Sequence, residues 1–270
     1  MGDWLFGTII TSILLTTGWF FFTEVLPRMA ANRAARRPEQ PLTALPGVEG
    51  PPPLPIDAET QLSTTKLTHD RFLEEADELI LAARGAGMFA ENMLAEAAEK
   101  ASDAVKLRPG SFDANLICGE IAVRRAQLAE PDAAVGLFGE AATFFATATE
   151  TKKGVIDTYV GRGWSHLERG HRLDRDQAEA AYMRSIEAFS EGFRVNSHNL
   201  FILRGWGIAV DGLARTVGDR APQAIQAEED YRRALAEHRG GDHELHTWYA
   251  EIRETAEPLR MPMPAVRDRY

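Results

Sequence analysis

The sequence predicts an all-α protein: a single N-terminal transmembrane helix, then a solenoid of antiparallel helix pairs with about four long repeats and a capping helix. Three observations point to it. An uncharged run of 20 residues, Trp4 to Thr23, stands near the start of the chain. From Thr68 to about Glu257, apolar residues recur at three- and four-residue spacing in a background of Ala, Leu, Glu and Arg, the period of amphipathic helices. Tryptophans recur at 42-residue steps, Trp164, Trp206 and Trp248, the first two inside RGW triplets. The expected order is a transmembrane anchor over 1–26, a basic then Pro-rich linker over 27–67, the solenoid over 68–257, and a tail over 258–270.

The 20-residue run is about 30 Å long as a helix, the thickness of a bilayer core. Asp3 and Glu24 bracket it, and Trp4 and Trp19 to Phe22 lie near its ends, where amphipathic rings favour the membrane interface. It has no basic n-region and is too long for a cleaved signal peptide. Arg28, Arg33, Arg36 and Arg37 follow it, whereas Asp3 precedes it. The positive-inside rule then places the N-terminus outside and the remainder in the cytoplasm, as a single-pass inner or plasma membrane protein. Gly7, Thr11 and Gly18, with Ser12 and Thr16 beside them, are small enough to let another protein's helix approach in lipid.

The linker holds seven prolines between Pro38 and Pro55. Proline fixes φ and removes a donor, so this stretch is expected to be a semi-rigid, extended tether. Through Lys66 six acids meet five bases, so the rest of the chain carries −9 of the formal charge of −10. An acidic body repels phosphate, which argues against nucleic-acid binding. One cysteine, Cys118, cannot support an internal disulfide framework and suits a reducing compartment.

Within the solenoid, breaks fall near Gly85, Pro109–Gly110, Glu130–Pro131, Lys152–Gly154, Leu173–Asp174, Asn196–Ser197, Ala221–Pro222 and Gly240–Gly241, giving about nine helices. Every second helix carries one pattern: Ala97-x3-Ala101-x2-Ala104, Ala141-x3-Phe145-x2-Ala148, Ser185-x3-Phe189-x2-Gly192 and Ala227-x3-Tyr231-x2-Ala234. Its middle positions step by 44, 44 and 42 residues, and Gly119, Gly163 and Gly205 each lie 22 residues before Ala141, Ser185 and Ala227. Glycine inside a helix costs up to about 1 kcal/mol relative to alanine, so a recurring one is expected to admit a close neighbour.

This pattern resembles the tetratricopeptide repeat (TPR). Ala97 to Pro109 matches that family's second helix through to the proline, while Tyr159-x2-Arg162-Gly163-x2-His166 and Phe201-x2-Arg204-Gly205-x2-Ile208 match its first helix in part, with Arg replacing Leu. The period exceeds the family's by about ten residues, which implies longer helices or a longer inner loop. The resemblance implies that the position after the first-helix glycine faces a peptide-binding concave groove. That position is Trp164 and Trp206, flanked by Val160, Leu167, Ile202 and Ala209; Leu116 and Val123 would continue the groove, with Glu120 at the Trp position. The alternative is that the same stripe is core, each Trp burying itself between neighbouring helices. The groove would be apolar, without the Lys/Asn set with which TPR domains clamp a C-terminal carboxylate.

The residues most suggestive of chemistry are His238, Asp242, His243, Glu244 and His246. They resemble a zinc-protease motif only superficially, because the second His comes three positions after the first rather than four. A polar turn capped by Asp242 is the expected role. No catalytic residue, metal ligand or cofactor is expected. The expected function is a membrane-anchored protein–protein interaction scaffold, or alternatively an accessory structural subunit packed into a membrane complex through its span and one solenoid face. Its partners would be other, membrane-associated proteins, with lipid contacted through residues 4–23.

Overall fold

The computed structural model describes residues 58–238, 243–255, 259 and 261. Nine α-helices run through them: α1 Ala58–Ala83, α2 Ala90–Leu107, α3 Phe112–Leu128, α4 Pro131–Thr151, α5 Ile156–Gly170, α6 Arg175–Val195, α7 Leu200–Val217, α8 Pro222–Glu237 and α9 His243–Glu254. A short 3-10 turn, Gly87–Phe89, precedes α2. No strand occurs among the described residues. The predicted transmembrane span, with Gly7, Thr11 and Gly18, and the Pro-rich linker lie outside the described residues. No helix among the described residues is long and apolar enough to cross a membrane.

The expected breaks within the described residues coincide with observed turns, and local chemistry explains where the helices start. Ser111 caps α3 by accepting from the Ala114 N–H at 3.3 Å. Asp174 caps α6 through the Gln177 N–H, and Asn199 caps α7 through the N–H groups of Phe201 and Ile202. Each carboxylate, amide or hydroxyl oxygen satisfies a donor that the first turn leaves orphaned. Pro131 and Pro222 open α4 and α8, where a missing N–H costs nothing. Gly218, at φ +95°, ends α7 in a conformation that a side chain would disfavour.

One boundary differs from expectation. Helix α1 begins at Ala58 rather than Thr68. The last proline before it is Pro55, and Thr64, Thr65 and Thr68 fold their hydroxyls back onto carbonyls four residues earlier, at 2.8–2.9 Å. These back-bonds satisfy the threonine hydroxyls within the helix, at a slight cost to its backbone. The extra length of the repeat lies in the helices: α4 and α6 have 21 residues each, and only Ala129–Glu130 separates α3 from α4.

The nine helices form a two-layer, solenoid-like array. Helices α1, α3, α5, α7 and α9 make the first layer, each touching the next. Helices α2, α4 and α6 form the second, each wedged between the first-layer helix before it and the one after; α8 packs on α7. First-layer helices are thus surrounded on three sides, and α7 buries 12 of its 18 residues.

Candidate partner-binding face

The packing of the repeat rests on rings seated against glycines. A Cβ at Gly119 would lie 2.8 Å from the Phe145 ring, and one at Gly161 only 2.6 Å from it. Phe189 is held the same way between Gly163, where the distance would be 2.5 Å, and Gly205. Two turns earlier in α6, Tyr182 lies between Gly170 and Gly212. The second-layer ring thus enters the angle between two first-layer helices, and both must lack a side chain there. The pairs Gly161-x-Gly163 and Gly205-x-Gly207 follow from this geometry: residues two apart on a helix point about 160° apart, one toward each flanking second-layer helix. Gly207 receives the Tyr231 hydroxyl, where a Cβ would be 2.7 Å away. Gly205, expected in register with the repeat of Tyr231, is instead the seat of Phe189. Gly163 and Ser185, which share one register in the repeat, also touch: the Ser185 hydroxyl donates to the Gly163 carbonyl at 2.8 Å.

All eight residues expected to line the groove are buried: Leu116, Val123, Val160, Trp164, Leu167, Ile202, Trp206 and Ala209. Trp164 is 1% and Trp206 4% exposed, so an open groove lined by these side chains is not what the structure presents. They are core. Trp164 meets Phe189 edge-on with centroids 6.1 Å apart. Trp206 meets Phe193 at 6.0 Å and Tyr231 at 5.6 Å, and Tyr231 meets Tyr249 at 4.8 Å. Such edge contacts add about 0.5–1.5 kcal/mol each beyond the area buried. Glu120, at the Trp position of its repeat, is also buried and accepts two hydrogen bonds from Arg124 at 2.8 and 3.1 Å. Trp248 is half-buried, and its ring edge lies 3.2 Å from where a Cβ at Gly207 would be.

This aromatic row has a polar anomaly. The indole N–H groups of Trp164 and Trp206 and the hydroxyls of Tyr231 and Tyr249 are buried with no hydrogen-bond partner among the described residues. Burial pushes both phenols well above their ordinary range; the neighbouring Tyr249 adds to the effect on Tyr231, and Glu228 adds to it on Tyr249.

Past Trp206 the row ends in an ion network that sequence reasoning missed. Asp211 is 1% exposed. Its carboxylate accepts from Arg215 at 2.6 Å and from Arg253 of α9 at 3.1 Å. Arg253 also pairs with Asp219, and Arg215 donates to the carbonyls of Ile252 and Thr255 at 3.0 and 2.9 Å. Burial works against the Arg253 charge, but hydrogen bonds to Asp219 and Asp211 outweigh it and hold the guanidinium above its ordinary pKa. Beyond α9, Leu259 and Met261 pack, partly buried, on the same core cluster.

The histidines divide. His238 is buried at the end of α8, its Nδ1 2.9 Å from the Ser197 carbonyl and its ring 5.4 Å from that of His198. His243 is exposed and His246 half-buried, while Asp242 lies outside the described residues. No three His, Cys, Asp or Glu side chains among the described residues converge as a metal site would require. His166 is held near pKa 4, first by burial and then by Arg184, Arg162 and Arg169. Burial pushes the Cys118 thiol up to about 12, which removes its nucleophilic form at neutral pH. The chain matches no protein-family model and no curated protein sequence.

Proposed function

We propose that the protein is a membrane-anchored interaction scaffold: a TPR-like solenoid held at the cytoplasmic face of an inner or plasma membrane by residues 4–23, with the N-terminus outside. The observation that carries this is the ring-in-glycine repeat. Large side chains of both layers are spent on joining one helix pair to the next, the economy of a repeat array whose product is extended surface. The anchor rests on the uncharged run and the four arginines after it. Chemical cross-linking in intact membranes, followed by purification of the full chain, is expected to recover discrete partner proteins. Removing residues 1–26 is expected to release the solenoid to the soluble fraction. A truncated chain that stays membrane-bound sinks the anchor, and recovery of no partner protein sinks the scaffold. Digestion of the solenoid from the extracytoplasmic face of sealed vesicles overturns the orientation.

A second reading is an accessory structural subunit. On α1 Leu62, Leu67 and Leu81 are 77%, 75% and 66% exposed, apolar side chains that a fixed neighbour would cover. Fixed stoichiometry with one complex on a native gel would select this reading; a shifting set of partners would select the adaptor.

A further inference from the structure

We infer that the α7–α9 end of the solenoid is a docking surface for an extended peptide, and that its resident ligand is the chain's own segment around Leu259 and Met261. This deepens the scaffold reading but rests only on the described solenoid and not on the anchor, so the two can fail separately. The segment is not helical at either residue, yet both side chains pack on the cluster that holds Trp206, Tyr231 and Tyr249. Their two-residue spacing is that of an extended chain, which turns alternate side chains to one side. Pro262 directly follows Met261, and a residue before proline is driven away from the helical region toward extended conformations. The departure point is fixed as well. Arg215 grips the carbonyls of Ile252 and Thr255, and Arg253 is locked onto Asp211 and Asp219, so the chain leaves α9 against α7.

The contact differs in kind from the core beneath it. Leu259 and Met261 remain partly exposed, whereas Trp206, Tyr231 and Tyr249 are 4%, 0% and 2% exposed. A partner fitting this surface is an unstructured segment with apolar side chains two residues apart, ended by proline. It would compete with the chain's own segment, whose tethering gives it an effective concentration of roughly millimolar order.

The test uses the full chain in detergent, a variant ending at Thr255, and the double variant Leu259→Ser/Met261→Ser. The probe is a fluorescent peptide of residues 256–265, read by anisotropy. The peptide is expected to bind the shortened chain and the double variant, and to bind the unaltered chain roughly tenfold or more weakly because the site is already filled. A peptide carrying serine in place of both apolar residues is expected not to bind. Equal binding to all three chains, or binding to none, overturns the proposal. Loss of helical circular dichroism in both variants overturns it too, since the segment would then be part of the fold rather than its ligand.

Discussion

The joint between α2 and α3 and the joint between α6 and α7 occupy equivalent places in the repeat, yet they divide their volume in opposite ways. At the first, the second-layer helix brings Ala101 and the next helix answers with Ile117, both in one core cluster. At the second, α6 brings Phe189 and α7 answers with Gly205. The α4–α5 joint follows the second pattern, with Phe145 against Gly161. Filling the gap is what the fold requires, and which helix supplies the atoms is free, because close packing constrains the sum of volumes rather than their owner.

The largest expected effect comes from emptying a ring seat. Phe189→Ala removes a fully buried ring held between α5 and α7, and is expected to destabilise the protein by about 3–5 kcal/mol, measured by urea unfolding. The comparison sharpens at the neighbouring joint. Phe145→Ala should be comparably damaging, and adding Gly161→Ile, which rebuilds the Ala101/Ile117 arrangement, should restore about half of the loss. If the double variant is less stable than Phe145→Ala alone, volume is not exchangeable between the two helices and the comparison breaks.

Next comes Asp211→Asn. An ion network ties the edge of the α7–α9 contact. Neutralising Asp211 leaves Arg215 and Arg253, each about a quarter exposed, without their shared counter-charge. The expected loss is about 2–3 kcal/mol, below the range for fully buried pairs because water still reaches both guanidinium groups. Faster hydrogen exchange confined to α9 and the adjacent part of α7 checks this; exchange that rises evenly through α3–α6 would contradict it.

A smaller effect separates the glycine seats from ordinary helix propensity. Alanine in a helix gains about 1 kcal/mol over glycine, but the added methyl at Gly163 would sit 2.5 Å from a ring that is itself held by α7. Gly163→Ala is expected to lose about 1–2 kcal/mol net. Gly136→Ala is the control: it is also helical but has nothing within 4 Å of the new Cβ, and is expected to gain stability in the same urea titration.

How far the sequence could be read differs between these features. The turns were legible because Pro, Gly and capping residues act locally, and the shared register of Gly163 and Ser185 because both recur at one interval. The role of Trp164 and Trp206 was not. Periodicity identifies a register on a helix, but whether that register is covered depends on how closely successive first-layer helices approach. The seat of the Tyr231 ring on Gly207 rather than Gly205 was hidden for a similar reason: repeat steps of 44 and 42 residues let either glycine continue the series. Asp211 and Arg215 look like a common surface pair four residues apart, and only Arg253, 42 residues on, makes them an interior network.

The smallest expected effect concerns the outward stripe of α5, where rings play no part. Arg162, His166 and Arg169 follow one another at helical spacing and are half-buried, while the equivalent stripe of α7 places Ile208 and Asp211 in the interior. Burial and the cations Arg184, Arg162 and Arg169 lower the His166 pKa from 6.5 to about 4. Between those values the unfolded chain binds a proton that the folded chain refuses. The stability tied to neutral His166 is therefore complete above about pH 6.5 and is lost progressively as pH falls toward about 4. The urea midpoint should drop across that window, and the drop should be shallower in His166→Gln, which cannot take up the proton. An identical pH slope in the two proteins would mean that the unfolded and folded chains protonate His166 alike, and that the arginines of this stripe are solvated well enough to leave it unaffected.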